Sequence, residues 1–468
     1  MSSQRSWQRL DLRGYRRSRC LLIFLFLALP LSATTYYVDN CVVTGNDSNN
    51  GTSAATPWLT VNKVNISSFS AGDSVLFQRT CTWQEQLTVP SCGSSGNPVT
   101  FGVYGTGNAP VFNGNATLAN GVLIDGKSYI TVNGLRLTNY TTKGISITTA
   151  GGTNRTITNN EVDHNGEWGV GDYAAGNLND VIGPGNNIHE NTQGGLAFSS
   201  GSSVQNVEIT TNSIWGNTET ITDGHDYGDV IHVQNISAGL LIHHNYLNRP
   251  ATFVPTSGAN LEAIDLAAAV VGAKIYNNVI VGSYIDVKNG STGALVYGNS
   301  IYLPSNDTDH SCFFAMADST GAQFKNNICQ MMVSGTYYAV YLEPGAESGF
   351  VSDYNLIYAP SGRVGTVNGG TYATFANWRA GYDAHGVGTD PKYNNAAGND
   401  LSLQAGSPAI DAGTNLGSTY QNGLDPRTSF PWGTLNQNSQ GSGWEIGAFV
   451  FVQQIPPAPP TSLSATVK

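Results

Sequence analysis

Three segments of this 468-residue chain place ionisable residues at matching positions: DVIHVQNISAGLLIHHNYL from Asp229, EAIDLAAAVVGAKIYNNVI from Glu262 and YIDVKNGSTGALVYGNSIY from Tyr284. Their cores align as Ile231-His232-Val233, Ile264-Asp265-Leu266 and Ile285-Asp286-Val287. Side chains of a strand alternate sides, so inward isoleucines put His232, Asp265 and Asp286 outward in one column. Two positions on, Gln234, Ala267 and Lys288 face the same way, while Tyr284, Glu262 and Tyr341 are placed to line a groove. Stacked strands hold equivalent side chains about 4.8 Å apart. Asp265 and Asp286 then repel each other unless a cation or a shared proton intervenes. Paired carboxylates with an adjacent amine and imidazole are the groups that proton transfer and glycosidic cleavage use. The spacing suits a retaining glycosidase better than an inverting one. The competing expectation is a neutralised surface ladder, with Lys288 offsetting Asp265 and Asp286.

Each segment is a strand, a small-residue turn, a second strand and an N-N or G-N step. Such a unit cannot bury its apolar side alone, so repetition implies coils stacked on coils. The units continue through SYITVNGLRLTNY, GISITTAGGTNRTITNNEVDHN, CFFAMADSTGAQFKNNICQ and YYAVYLEPGAESGFVSDYNLIY. Glycine is abundant (55 residues) and charged residues make up 11%, which argues for short strands and polar turns over helices. A short helix is expected near Tyr372–Ala380. The N-N and G-N steps fit αL-tolerant turns and stacked amide ladders, a structural role. His243 and His244 are turn residues in this reading.

The first 33 residues read as an export signal: a basic stretch, the apolar run LLIFLFLALPL and a small-residue cleavage site. The run is too short to span a bilayer, so no stable membrane insertion is expected. Removing residues 1–33 takes away six Arg and one Asp, which moves the formal charge from -11 to -16. That acidity disfavours nucleic acid and anionic membranes as partners, and leaves a secreted, periplasmic or cell-surface monomer. Export permits disulfides. Cys81 and Cys92 bracket a short loop and are expected to pair, Cys312 and Cys329 lie on adjacent strands, and Cys41 is left over.

Residues 34–114 form an N-terminal cap and first coils, with Trp58, Phe69 and Trp83 covering the open end. Central coils occupy 115–360. A C-terminal capping region, 361–452, offers Tyr393, Leu401, Leu403 and Phe449 as a terminal cover. Residues 453–468 are a proline-rich linker and the start of a further segment, which resembles the beginning of a fibronectin-type domain. The loop GNTETITDGHDYGDVIHVQN carries Asp223, His225, Asp226 and Asp229; its dense aspartates offer oxygen ligands of the kind calcium takes, and a hydrogen-bonded polar loop is the alternative. Trp168 and Trp215 are candidate sugar platforms.

The opening YYVDNCVVTGNDSNNGTSAATPWLTVNKVN with AGDSVLF, and the coils from Gly121 to Tyr358, resemble the secreted right-handed parallel β-helix proteins of the pectate-lyase-like superfamily. DPKY, LSLQAGSPAIDAGTN and EIGAFVF resemble a C-terminal module common after such helices. The resemblance implies an all-β, single-stranded right-handed solenoid capped at both ends, and a carbohydrate-active protein. YIDVKNGSTGALVYGN is similar to the strand of alginate- and chondroitin-type lyases that ends in a catalytic lysine. That implies Lys288 as the base of a calcium-assisted β-elimination on a uronic-acid-containing polysaccharide. Glu262, Asp265 and Asp286 are the counterparts of the calcium ligands. A glycoside hydrolase using paired aspartates, and a non-catalytic glycan-binding protein, are the alternatives.

Overall fold

A computed structural model describes residues 32–148, 151–217, 228–249, 262–304, 311–333 and 337–453. The chain divides into two compact units, Met1–Ser32 and Ala33–Lys468. The export-signal stretch, Asp223, His225 and Asp226, and the tail beyond residue 453 lie outside the described residues.

From Thr35 onward the chain winds as a right-handed parallel β-helix, with three short strands per coil. The third face is an eleven-stranded sheet from Thr82–Trp83 to Leu356–Tyr358. The other two faces join in a 22-stranded sheet, because Gly194–Thr210 and Ile231–His243 each pass the corner without a break. Strands along all three faces pair in parallel, each with the equivalent strand one coil away. Local alternation predicts this. Inward positions of the first face stack as Ile145, Val170, Leu196, Ile231, Ile264, Ile285, Phe313 and Val340. All are fully buried in one continuous core. Each such side chain contributes about 1.5–3 kcal/mol through removal from water.

One corner is held by side chains. Asn160, Asn186, Asn212, Asn245, Asn278, Asn299, Asn327 and Asn355 stack on successive coils, each Nδ2 donating to the next Oδ1 at 2.8–3.2 Å. The same amides donate to buried backbone carbonyls of a preceding coil. The ladder ends on Asp383, whose carboxylate accepts from Asn355 Nδ2 at 2.8 Å and Ser352 Oγ at 2.9 Å. Residues just before the rungs, such as Asn159, His244, Asn277 and Asn326, take positive φ. The N-N step therefore encodes one left-handed turn residue followed by one rung.

At the N-terminal end, Trp58, Phe69 and Trp83 are buried as expected, with Tyr36 stacked on Trp58. A short helix, Val61–Asn65, was not anticipated; Thr60 caps it by accepting from the Lys63 N–H. Phe375–Gly381 forms the expected helix, and its Trp378 lies buried against the last coil. There a Cβ on Gly365 would come within 2.3 Å of the indole.

The terminal cover anticipated from Tyr393, Leu401, Leu403 and Phe449 is corrected. These residues pack with Ile446 and Ala448 on Val279, Val281, Ile328 and Leu356, the outer side of the third face. Alternation explains it: Ile280 points into the core, so Val279 and Val281 point out and need a cover. The turn residues anchor this segment, Asn277 Nδ2 donating to Asn422 O at 2.7 Å and Asn326 Nδ2 to Thr414 O at 2.8 Å.

The disulfides are Cys41–Cys81 and Cys312–Cys329; Cys92 is free and exposed. The expected Cys81–Cys92 pair is therefore wrong. The Thr82–Trp83 and Leu87–Thr88 strands, on different faces, carry Cys92 away from Cys81. Among the described residues no helix is long and apolar enough to cross a membrane.

Candidate active site

Register places the predicted column together: His232 pairs with Asp265 and Asp265 with Asp286, between inward neighbours. Before His232 the column runs through Thr88, Leu123, Ser146, Gly171 and Ala197, and it continues beyond Asp286 with Phe314 and Tyr341. Tyr341 thus belongs to the same face but stacks on Phe314, two coils from Asp286. The second expected column slips. Gln234 pairs with Ala268 and not Ala267, because the register shifts after Val233.

The ionisable groups converge more tightly than strand spacing alone requires. Asp229 and Glu262 stand just ahead of the first-face strands and reach across to the column. His232 Nδ1 lies 2.9 Å from Asp229 Oδ2 and 3.0 Å from Asp265 Oδ2. Lys288 Nζ lies 2.9 Å from Glu262 Oε1, 3.2 Å from Asp265 Oδ1 and 3.3 Å from Asp286 Oδ2. The Asp265 contact is an ion contact whose angles are not those of a hydrogen bond, since Asp265 Oδ1 has no hydrogen-bond partner. Asp229 Oδ1, Glu262 Oε2 and Asp286 Oδ1 are likewise buried without partners. Four carboxylates surround one ammonium.

Burial and the neighbouring Glu262 and Asp265 charges hold the Asp229 carboxyl well above its ordinary range. Burial also raises Asp286, against the pull of Lys288. Glu262 goes the other way. Burial opposes its charge, but the Asp229 hydrogen bond and the Lys288 ammonium outweigh burial and keep it ionised. Lys288 is raised: burial disfavours its charge, yet the surrounding carboxylates more than offset that. Tyr284 joins the cluster, its hydroxyl raised by burial and then by Glu262. The cluster thus separates acids held protonated from an acid held ionised.

Two groups, Asp229-His232-Asp265 and Glu262-Asp265-Asp286, each bring one ligand atom per residue within 4.8 Å of the others, a spacing that could hold a divalent metal. The all-carboxylate group offers hard oxygen donors of the kind calcium takes. The Lys288 ammonium, however, already contacts all three of its members. An ion and that ammonium do not fit together there. The expected role of Lys288 as a base meets the same obstacle, because a lysine held charged has no lone pair to offer. The expected aspartate pair has suitable oxygen spacing, but Asp265 and Asp286 are only 2% and 3% exposed.

His232 is the member of the cluster that faces a cavity. About 180 Å³ in volume, the cavity is lined by Glu167, Trp168, Tyr173, Gln193, Ala197, Ser199 and His232. Two carboxylates on Nδ1 fix the proton there, and the Gln234 amide stands 2.8 Å from Nε2 and donates to it. That makes His232 an oriented imidazole whose acceptor nitrogen, turned from the buried acids, is held by the Gln234 amide. Trp168, one of two expected platforms, lies with its ring centroid 5.9 Å from that of His232. Trp215 is instead on the third face, stacked on His189 at 4.4 Å. His244 is a turn residue, as expected, its pKa pushed down to about 4 by burial. Sequence reasoning passed over Glu167, Tyr173 and Gln193. The available signal was Trp168 pairing with a glycine, Gly194, in the next coil.

No family model matches the chain. Over 135 aligned residues it is 31% identical to a lacto-N-biosidase of Bifidobacterium longum subsp. longum, covering 23% of this chain. The match spans only 8% of that relative's length. Among solved structures, pectate lyase Pel9A superposes with a TM-score of 0.51 at 14% identity, covering 89% of this chain and 96% of that one. A GH136 lacto-N-biosidase from Eubacterium ramulus gives 0.49 at 16%, covering 76% and 67%. What this chain shares with Pel9A is the fold, a right-handed parallel β-helix.

Proposed function

We propose that this is an exported enzyme that cleaves a polysaccharide or oligosaccharide by hydrolysis on the first face, with His232 as the proton acceptor. The observation that carries this is the imidazole itself: held by Asp229 and Asp265 on one side, it lines a cavity on the other. In the reaction, the Gln234 amide gives up its hydrogen bond to His232 Nε2, and a water oxygen bonds to the anomeric carbon while one water proton passes to the freed nitrogen. The glycosidic C–O bond breaks, the departing oxygen takes a proton from solvent, and His232 later returns its proton to solvent. Lys288 and the protonated Asp229 and Asp286 limit the negative charge behind the imidazole. The stretch shared with a lacto-N-biosidase and two disulfides support an exported carbohydrate-active protein.

A second reading is calcium-assisted β-elimination of a uronic-acid-containing glycan. It is favoured by the partnerless oxygens of Glu262, Asp265 and Asp286, and it requires Lys288 to leave their midst. The test is a screen of neutral oligosaccharides, alginate, pectate and glycosaminoglycans, with calcium and with chelator. It compares the wild type, His232→Gln and Lys288→Ala. New reducing ends without ultraviolet absorbance, insensitive to chelator and reduced at least a hundredfold in His232→Gln, are expected. Calcium-dependent unsaturated products would replace this reading with the lyase. Binding with no cleavage of any substrate would replace both with a glycan-binding protein.

A further inference from the structure

The cavity beside His232 has a feature that catalysis by His232 does not use. Gln193 lines it, is 8% exposed, and its side-chain amide makes no hydrogen bond to another described residue. An amide with no partner among the described residues is open to a hydroxyl of a ligand or to water at the cavity. Its backbone is fixed, the N–H donating to Glu167 O at 3.0 Å. The next residue, Gly194, lies beneath the Trp168 ring. A Cβ there would stand 2.2 Å from Trp168 Cζ3, so the bare glycine is what lets the indole settle against the sheet. The cavity thus sets an indole, an amide and an imidazole around one small space.

We infer that this cavity binds a single uncharged sugar ring, with Gln193 reading hydroxyl groups and the ring lying beside the part of the buried Trp168 indole (4% exposed) that lines the cavity. The size argues for one ring. An amide both donates and accepts, which matches a hydroxyl pair, and the C–H face of a pyranose is an apolar surface suited to an indole. Charge argues against a uronate. The ionisable lining groups are Glu167, Tyr173 and His232, and the nearby Lys143 is already ion-paired with Glu167 and lies over the Tyr173 ring, Nζ 5.2 Å from its centroid. Behind His232 stand Asp229 and Asp265. Among the described residues, a carboxylate entering there meets acids and no unpaired cation.

The inference rests on the proposal that the first face handles a glycan, but its test does not depend on cleavage. Saturation-transfer NMR would use free D-glucose, D-galactose, D-xylose and N-acetyl-D-glucosamine against D-glucuronate and D-galacturonate. None of these has a glycosidic bond to break. At least one neutral sugar should receive saturation from the wild type, and the uronates should receive none. Affinity should fall at least tenfold in Gln193→Ala and in Gly194→Ala, whose added methyl displaces the indole. Circular dichroism confirms that each variant is folded, and either variant alone suffices. No transfer to any neutral sugar, equal transfer to the uronates, or binding unchanged in a folded variant overturns the inference. Neutral-sugar binding without cleavage of any oligosaccharide would leave it standing and remove the hydrolase. Cleavage without contact at this cavity would do the reverse.

Discussion

Two stacks of polar side chains run along this solenoid, and they have opposite characters. At one corner the amides from Asn160 to Asn355 repeat one neutral group that is both donor and acceptor, so each rung satisfies the next. On the first face Asp229, Glu262, Asp265 and Asp286 repeat a group that can only accept when ionised, and four of their oxygens remain without partners. The same coil spacing therefore makes a fastener from amides and a stressed site from carboxylates. A repeat that stabilises is one whose residue is complementary to itself. Acids are not, and one lysine together with raised pKa values is what makes the second stack tolerable.

Breaking the second stack should have the largest effect. Lys288→Met leaves the buried carboxylates without their counter-charge, and is expected to lose about 3–5 kcal/mol at neutral pH. The loss should shrink on acidification, because without the ammonium the carboxylates take up protons at higher pH and then need no partner. Urea denaturation at pH 4 and pH 8 checks this; an equal deficit at both would show that packing, and not charge, is what the lysine supplies.

Breaking the first stack comes next. Asn278→Ala deprives Asn245 N and Nδ2, Ile242 O and Asn299 of partners, and about 2–4 kcal/mol should be lost, with little dependence on pH. The contrast in pH slope between these two variants is the sharpest measure of the comparison.

The place where the stacks meet in kind is Asp383, an acid ending the amide ladder. Burial raises its pKa from 3.8 to about 6, against its hydrogen bonds to Asn355 and Ser352. A raised carboxyl favours the folded state fully below the unfolded pKa, and that advantage is lost as pH rises through the folded pKa. Wild-type stability should therefore fall by about 1–3 kcal/mol between pH 4 and pH 6 from this group. Asp383→Asn should lack that part of the slope in a melting-temperature series.

The smallest effect is expected at Cys92. Free and exposed, it should tolerate Cys92→Ser within about 0.5 kcal/mol. Unreduced peptide mapping should recover the Cys41–Cys81 link in that variant.

The parts of this fold that repeat were legible in the sequence. Alternating Ile-x-Val cores announced inward and outward positions, and N-N steps announced the ladder, because one wrong reading would have had to recur in every coil. The His232, Asp265 and Asp286 column followed from the same regularity. What escaped were relations that repetition does not govern. The bulge after Val233 shifted Gln234 by one place, since a single extra residue leaves no mark in composition. Lys288 was placed in the column, but its reach to three carboxylates, and hence its loss as a base, depends on side-chain length and direction. Cys81 and Cys92 seemed partners because they are near in sequence, whereas neighbours in a coil are separated by whole faces. In sequence the C-terminal hydrophobes resemble a lid, whereas the outward valines leave the flank as the surface that needs them.

The amide ladder also bears on how such a chain can change its length over generations. Every rung donates in one direction and accepts from the other, so a duplicated coil inserted between any two rungs finds its bonds ready on both sides. Only the final step onto Asp383 is singular. Lineages can lengthen or shorten the rod ahead of Glu167 or after Lys288 without disturbing the chemistry. Within that span the same event would part residues that must touch. Insertions and deletions of whole coils among descendants should therefore spare residues 167–288 and accumulate on either side of them.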